Sequence, residues 1–372
     1  MKFLSVQPFP LFVNGGGSRV LRRLYEGHES QTVSLVVQES ANSEIKTGNI
    51  KEVFVDAFPI QRDWMRWRMR TWSSWLRRNT FRNSTINKIR KVAAELTYDA
   101  VHVISHGPFT AALCDEKYRK GKALWVSFHD HYTTTTTTLE ETRDLWNKAD
   151  RRLMISKELG EEYLRLFGDK DFETITDGVS EEELSAPNTV VPPTVTIYFA
   201  GLLHLQYLPL FEVLADALHL LSQQGFSFTL VLRGTQHVSF LENKAFKTEY
   251  RRDFISDKEI KEELDSATIL YLPIQFMVSD FYLYSLSTKM ISYLGGAGSI
   301  LYHGPSESAA CNLLKKTNSG ICCTSLDVNE LAESIKQVLN DKGNVSANAK
   351  VLAQKEFSLR KIQQRFWQES PA

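Results

Sequence analysis

Residues 185–201 read SAPNTVVPPTVTIYFAG, and this stretch determines how the chain is divided. Its first half contains Pro187, Pro192 and Pro193, a composition that disfavours helix and suits a linker. Its second half is a β-branched and aromatic run that ends at Gly201, which predicts a buried strand followed by a turn. The pattern of strands and helices restarts at this point. We therefore expect one domain on each side of the linker.

Short apolar runs alternate with amphipathic helical stretches on both sides of the linker, as in parallel sheets with crossover helices. The predicted fold class is α/β, with two Rossmann-like, doubly wound domains that face an inter-domain cleft, where ligands collect. We predict an N-terminal domain over 1–184, a linker over 185–194, a C-terminal domain over 195–356, and a helix within 357–372 that packs back on the first domain. The predicted strands are Phe3–Val6, Ser34–Val37, Val53–Val55, Ala100–Ile104, Ala123–Phe128, Arg152–Ile155, Thr194–Ala200, Ser227–Leu232, Thr268–Leu272 and Ser299–Tyr302.

Length and composition agree with two ordinary globular domains. The chain has 372 residues, of which 42% are hydrophobic and 24% charged, so disordered and fibrous classes are excluded. Lys plus Arg and Asp plus Glu both number 44, which excludes a general polyanion binder but permits local patches. The four cysteines form no zinc or disulfide pattern, and no apolar run is long enough to span a bilayer. We expect a cytoplasmic protein, with peripheral attachment to the inner face of the membrane left open.

A glycine cluster, Gly15 to Gly17, follows the first predicted strand and opens a helix. Gly16 and Gly17 would let the backbone approach an anion at the helix N-terminus. Val20 stands where the third glycine of a dinucleotide fingerprint would fall. An anion site and a tight strand-to-helix turn therefore both remain open.

A second cluster lies in the C-terminal half, where Ser287 and Thr288 are placed to cap a helix. Lys289 in the first turn of that helix is unfavourable toward the helix dipole unless an anion lies nearby. A diphosphate would supply that anion. The alternative is a solvated lysine on an ordinary capped helix.

Several short motifs occur together in a characteristic order along nearly the whole chain, and through them the chain resembles the GT-B glycosyltransferases. The resemblance is to the retaining E-x7-E group, glycosyltransferase family 4-like. The motif similar to S-x-P-T-K-x-x-E-Y-L begins at Ser285. The other stretches that carry the resemblance are Tyr98–Val103, Phe128–Asp130, Leu153–Leu159, Thr176–Val179, Ile197–Gly201 and Leu230–Gly234.

This sequence departs from the family pattern at both motif glutamates, which fall on Tyr284 and Ser292. In the family the second glutamate usually holds the ribose. The loop after Gly201 reads Leu-Leu-His-Leu-Gln, without the basic residues that many relatives direct at the diphosphate. Lys289 is therefore the main remaining cation, with Arg233 as a second candidate.

The resemblance implies transfer of a sugar from a nucleoside diphosphate donor, UDP or GDP, to a glycan or lipid-linked glycan acceptor. Cell-surface polysaccharide or glycolipid synthesis is the expected context. No cofactor is expected, and no metal, because no paired Asp motif is available to hold one. The expected donor-binding residues are Gly16, Gly17, Gly201, Arg233, Ser287, Thr288, Lys289 and Ser292.

His129 is the first candidate to project toward the donor sugar, with Asp130 orienting it, and His106 is the rival. A retaining reaction is expected and needs no strong protein base, whereas an inverting one would use Asp130 or His106. Loss of both glutamates leaves other functions open. These are a catalytically degenerate sugar-nucleotide-binding or scaffold protein, a sugar-nucleotide epimerase and a phosphorylase.

Residues 62–91 form a basic and aromatic stretch, with ten Lys or Arg residues, one acid and four tryptophans. At 100° per residue the tryptophans share one helical face, as in an interfacial helix that meets anionic lipid headgroups. The alternative is a helix that packs its Trp face on the sheet. Nucleic acid is not expected as a partner, because no recognised binding motif accompanies the stretch. The candidate docking residues are Trp64, Trp67, Arg68, Trp72 and Trp75.

Overall fold

A computed structural model describes residues 1–13, 15–38, 48–57, 68–253 and 256–368. The chain forms two compact units. The first comprises Met1–Thr176 and Phe366–Ala372, and the second comprises Asp177–Arg365. Each unit is an α/β layer structure around one parallel sheet, which confirms the predicted fold class.

The described part of the first unit contains a seven-stranded parallel sheet with strand order β3-β2-β1-β4-β5-β6-β7. The central strands are buried along their whole length, as expected where helices cover both faces. The strands are β1 (Phe3–Gln7), β2 (Thr32–Gln38), β3 (Lys51–Asp56), β4 (Ala100–Ile104), β5 (Ala123–Phe128), β6 (Arg151–Met154) and β7 (Glu173–Thr174).

Local signals in the sequence define the helices of this unit. The side chain of Thr138 accepts a hydrogen bond from the Glu141 N–H, and the Glu141 carboxylate bonds the Thr138 N–H in return, so a capping box starts one of them. Ser156 caps the next helix in the chain. The helices are α1 (Gly16–Tyr25), α2 (Arg70–Asn79), α3 (Arg82–Ala94), α4 (Glu116–Arg119), α5 (Leu139–Lys148) and α6 (Lys157–Phe167).

The described part of the second unit contains a six-stranded parallel sheet with order β10-β9-β8-β11-β12-β13. The strands are β8 (Thr194–Ala200), β9 (Ser227–Arg233), β10 (Lys247–Arg251), β11 (Ile269–Pro273), β12 (Ser299–His303) and β13 (Ile321–Cys323). The helices are α7 (Leu208–Gln223), α8 (Asp257–Ser266), α9 (Ser279–Tyr284), α10 (Thr288–Gly295), α11 (Ala309–Thr317), α12 (Val328–Asn340), α13 (Asn344–Glu356) and α14 (Leu359–Trp367).

The chain passes from the first unit to the second after Thr176, ahead of the predicted boundary at residue 184. The predicted linker is irregular in structure and belongs to the second unit, where the Ser185 N–H donates to Gly295 O and the Asn188 N–H to Ala297 O, both at 3.0 Å.

The end of the last helix, α14, returns to the first unit. The Phe366 ring contacts the rings of Phe3 and Trp125, with centroids 5.6 and 5.2 Å away. The Arg151 guanidinium donates to the Phe366 carbonyl at 3.0 Å, and the Trp367 Nε1–H donates to Leu24 O at 2.8 Å.

Candidate functional site

Gly201 ends β8 in a conformation that favours glycine, with φ of +135°. Its N–H donates to Arg233 O at 2.8 Å, and its carbonyl accepts a hydrogen bond from Thr235 Oγ1 at 2.9 Å. A Cβ atom at this position would lie 3.2 Å from Lys289 Nζ. The turn is therefore fixed on both sides, and the lysine amine reaches its backbone.

Lys289 lies in the first turn of α10, and its Nζ is 3.7 Å from the centroid of the Phe199 ring. Among the described residues, no carboxylate pairs with its amine. Desolvation lowers the pKa of Lys289 to about 7. Ser287 is the N-cap residue of α10, but its side chain makes no capping hydrogen bond in the described structure. The amine of a residue in the first turn of this uncapped helix thus lies beside the Gly201 turn that follows β8.

Ser292, where the second motif glutamate would fall, uses its hydroxyl within the helix. Its Oγ donates to Thr288 O at 3.1 Å, one turn earlier. Tyr284, which the sequence analysis aligned with the first motif glutamate, is the last residue of α9. These side chains supply no carboxylate to the site.

Arg233, which was expected to bind the diphosphate, makes its hydrogen bonds to other protein groups. Its Nε donates to Glu263 Oε2 at 3.0 Å, its NH2 group bonds the other Glu263 oxygen, and NH1 donates to Asp253 O at 2.8 Å. Hydrogen bonds to Glu263 raise the pKa of Arg233. The Glu263 carboxylate also accepts from the Tyr198 hydroxyl at 2.8 Å. Arg251 NH1 donates to the same carboxylate at 2.9 Å, so Arg233 is ion-paired but shares Glu263 with a second arginine.

In the first unit, His106, His129 and Asp130 follow the ends of the neighbouring strands β4 and β5. His106 Nδ1 is 3.6 Å from Asp130 Oδ2. Burial, followed by the nearby His106, lowers the pKa of His129 to about 3, so its imidazole is neutral at physiological pH. The structure brings these three predicted residues together.

The loop that carries His106 is held from two sides. The His106 carbonyl accepts a hydrogen bond from Thr136 Oγ1 at 3.2 Å, and the Phe9 ring stands edge-on to the imidazole at 6.1 Å. The same Phe9 ring explains Gly17, because a Cβ there would lie 2.6 Å from it. Gly16 is the first residue of α1. Close packing at the strand-to-helix turn thus accounts for Gly17.

Phe199 and Thr235 contribute to the site but were not predicted from the sequence. Phe199 reads as an ordinary core residue of β8, and Thr235 is a single hydroxyl after a strand. No local pattern distinguishes either residue, because each acts through a contact with a residue distant in the chain.

Comparisons with known proteins concern the family and the fold of this chain. The model of Glycosyltransferase Family 4 matches residues 14–183. The chain has the GT-B fold. No curated protein matches the sequence significantly.

Three solved structures show the fold match, each at low sequence identity. Anabaena Alr3699/HepE in complex with UDP-glucose aligns over 98% of both chains, with 13% identity and a TM-score of 0.66. A glycosyltransferase from Rickettsia africae ESF-5 aligns over 98% of this chain and 97% of its own, with 13% identity and a TM-score of 0.67. An α,α-trehalose-phosphate synthase (UDP-forming) from Burkholderia vietnamiensis aligns over 98% of both chains, with 10% identity and a TM-score of 0.63.

The described residues lack two further features, a metal-binding cluster and a membrane-spanning helix. They contain no group of three or more His, Cys, Asp or Glu side chains arranged to hold a metal ion. None of the helices found in that part of the chain has both the length and the apolar character needed to cross a membrane.

The basic and aromatic stretch is described from residue 68 onward, so Trp64 and Trp67 lie outside the described residues. Trp72 and Trp75 on α2 are 51% and 58% exposed. The buried residues of the helix are instead Ser73 and Arg77, and the Arg77 guanidinium lies 5.8 Å from the centre of the Phe109 ring. The packing alternative therefore does not describe Trp72 and Trp75.

Beside these tryptophans, the helix surface carries exposed positive charge. Arg68 and Arg78 are both exposed. Trp75 and Arg78 also line a surface depression on this helix together with Thr71, Ser74 and Asn79.

Proposed function

We propose that this protein is a glycosyltransferase that transfers a sugar from a nucleoside diphosphate donor to a glycan acceptor. One observation carries the proposal: the Lys289 amine, which comes from the first turn of the uncapped helix α10, lies beside the Gly201 turn. A helix N-terminus and a lysine together favour a phosphorylated group. Ligands of open α/β folds bind at the carboxyl ends of the parallel strands. The chain shares the GT-B fold, in which the C-terminal domain is the donor domain.

Charge stabilisation is the main task at this site. As the glycosidic bond to the diphosphate breaks, negative charge grows on the leaving oxygen, and a preorganised cation and N–H groups lower the barrier. Lys289, with the N–H groups that follow Ser287, performs this task in the proposal. Arg233 pairs with Glu263 inside the second unit, and the proposal assigns it no contact with the leaving group.

His129 and Asp130 are proposed to act on the sugar side, with His106 beside them. A neutral imidazole at His129 donates or accepts a hydrogen bond without adding charge, which suits contact with a sugar hydroxyl. The His106–Asp130 pair supplies a base if the reaction inverts, whereas retention needs none. We propose retention, without metal or cofactor.

We propose a UDP-sugar as the donor, supported by the fold matches. Anabaena Alr3699/HepE was solved with UDP-glucose, and the Burkholderia protein is described as UDP-forming. The donor test is a thermal-shift screen of UDP-, GDP- and dTDP-sugars, with Lys289→Met compared against Lys316→Met, an exposed lysine on α11. A UDP-sugar should stabilise the wild type and Lys316→Met but not Lys289→Met. Absence of stabilisation by every nucleotide sugar would reject the proposal.

The acceptor is proposed to be lipid-linked and reached at the inner face of the cytoplasmic membrane, in cell-surface polysaccharide or glycolipid synthesis. The support is the exposed Trp72 and Trp75 on α2, with the exposed Arg78 on the same helix and the exposed Arg68 shortly before it, since aromatic rings and cations together favour anionic lipid surfaces. The test is sedimentation with vesicles of phosphatidylglycerol and phosphatidylcholine. Binding should weaken with salt and with Trp72→Ala plus Trp75→Ala, but not with Phe226→Ala, an exposed aromatic of the second unit. Indifference to salt and to the double variant would reject docking.

A second candidate function is that of a degenerate nucleotide-sugar-binding protein. Tyr284 and Ser292 favour it, because neither provides the carboxylate of the family motif. Binding of a nucleotide sugar without transfer or hydrolysis, using extract-derived acceptors, would support this candidate. Interconversion of the bound sugar nucleotide would indicate an epimerase instead.

A further inference from the structure

The surroundings of Lys289 disfavour a positive charge on its amine when no anion is bound. The amine lies against the face of the Phe199 ring and beside the Gly201 backbone. It also lies in the first turn of α10, where the helix dipole presents its positive end. Ring attraction alone is worth only about 1–2 kcal/mol, less than the cost of removing an unpaired ammonium from water.

The charged and titratable groups on the neighbouring elements do not compensate. Tyr293, one turn along α10, accepts a hydrogen bond from the Ala200 N–H at 3.3 Å. Arg233, at the end of β9, is paired with Glu263. Burial is the cause of the lowered pKa of Lys289, without an opposing carboxylate among the described residues.

We propose that binding of the donor diphosphate at this site is coupled to uptake of one proton by Lys289. The inference rests on the proposed function, because it concerns the same site. The free site holds a mixture of neutral amine and ammonium near neutral pH, and the bound site holds the ammonium. The step balances as amine plus one solvent proton plus diphosphate diester giving an ammonium–diphosphate ion pair, with no covalent bond to the sugar changed.

Proton uptake makes affinity depend on pH in a defined direction. With the pKa of Lys289 at about 7, the free site lacks about half a proton at pH 7 and about 0.9 of a proton at pH 8. If only the protonated site binds, the dissociation constant rises about 25-fold between pH 6.5 and pH 8.5. The phosphates of a nucleotide sugar do not titrate in this range, so the change reports on the protein.

The experiment is isothermal titration calorimetry of the full chain with UDP-glucose as the probe, in PIPES and in Tris. These buffers differ strongly in ionisation enthalpy, so the difference in observed heat gives the protons taken up. The expected result is uptake of about half a proton at pH 7, increasing toward one at pH 8, with weaker affinity at higher pH.

Lys289→Arg is the matched control, because a guanidinium stays charged throughout this range. This variant should bind without proton uptake and with a pH-independent dissociation constant. Equal heats in both buffers for the wild type, together with pH-independent affinity, would overturn the inference while leaving the donor site intact. An unchanged proton uptake in Lys289→Arg would also overturn it. If UDP-glucose and GDP-glucose both fail to bind the folded wild type, it is the proposed function that fails.

Discussion

Replacement of Lys289 by methionine should stabilise the free protein at neutral pH. The change keeps an unbranched stem beside Phe199 and removes the charge that desolvation penalises. The pKa of Lys289 falls from 10.5 to about 7 in the folded protein, so the unfolded chain binds this proton more tightly. The resulting penalty on the folded state is about 4 kcal/mol at pH 7 and about 1 kcal/mol at pH 10.

The pH dependence follows from the sign of that shift. The penalty is complete below about pH 7 and disappears as pH rises toward 10.5, so the advantage of Lys289→Met should shrink over the same interval. The assay is urea unfolding of ligand-free protein followed by circular dichroism at pH 7 and pH 10, with Lys316→Met as the control. A variant no more stable than wild type at pH 7, or one whose advantage is the same at pH 10, would refute the reasoning.

The remaining predictions concern the Gly201 turn, the first unit's polar pair and a helix cap. Gly201→Ala should lose about 1–3 kcal/mol of stability and also weaken nucleotide binding by displacing Lys289. Gly225→Ala, with φ of +96° and open space around it, should lose stability alone. Comparison of the UDP-glucose affinities of the two variants checks this prediction. Asp130→Asn should lower the transfer rate at least tenfold with an unchanged dissociation constant for UDP-glucose, and an equal loss of affinity would count against its assigned place. Thr138→Ala should cost about 1 kcal/mol in thermal unfolding, which Thr138→Ser should restore.

The central strands were predictable because burial on both faces gives them continuous apolar sequences. Ala100–Ile104, Ala123–Phe128 and Thr194–Ala200 have the predicted bounds. By contrast, β10 lies at the edge of its sheet and pairs with a strand on one side. Its sequence, KTEYR, contains no apolar run, as edge strands often carry charged residues. Strand β7 has two residues and gives no periodicity at all. These two edge strands are defined by the neighbour they pair with, whereas the edge strand β3 contains the apolar run Val53–Val55 and was predicted.

The site was predictable to the extent that its residues lie at strand ends and helix starts. Lys289, Gly201, His106 and Asp130 were chosen as candidates partly on that basis, but Asp130 was expected to orient His129, whereas the structure places it 3.6 Å from His106. The pairing of Arg233 was not, because Glu263 is thirty residues away on α8 and nothing in the local sequence links them. The local sequence around an arginine at a strand end does not show whether its guanidinium contacts a ligand or a carboxylate.

The ion pair between Arg233 and Glu263 bears on how the proposed donor site would hold a diphosphate. Two cations at this edge would hold a diphosphate by additive attraction and would tolerate the loss of either one. With Arg233 paired to Glu263, the proposal assigns contact with the leaving group to Lys289, supplemented by helix N–H groups. A lysine that is partly neutral in the free state avoids much of the cost of an unpaired buried charge and gains its full charge when the anion arrives.

The aromatic contact with Phe199 is compatible with both forms of Lys289, since the ring face attracts the ammonium and packs against the neutral side chain. We therefore include Phe199 with Lys289 in the proposed donor site, although its ring contains no polar atom.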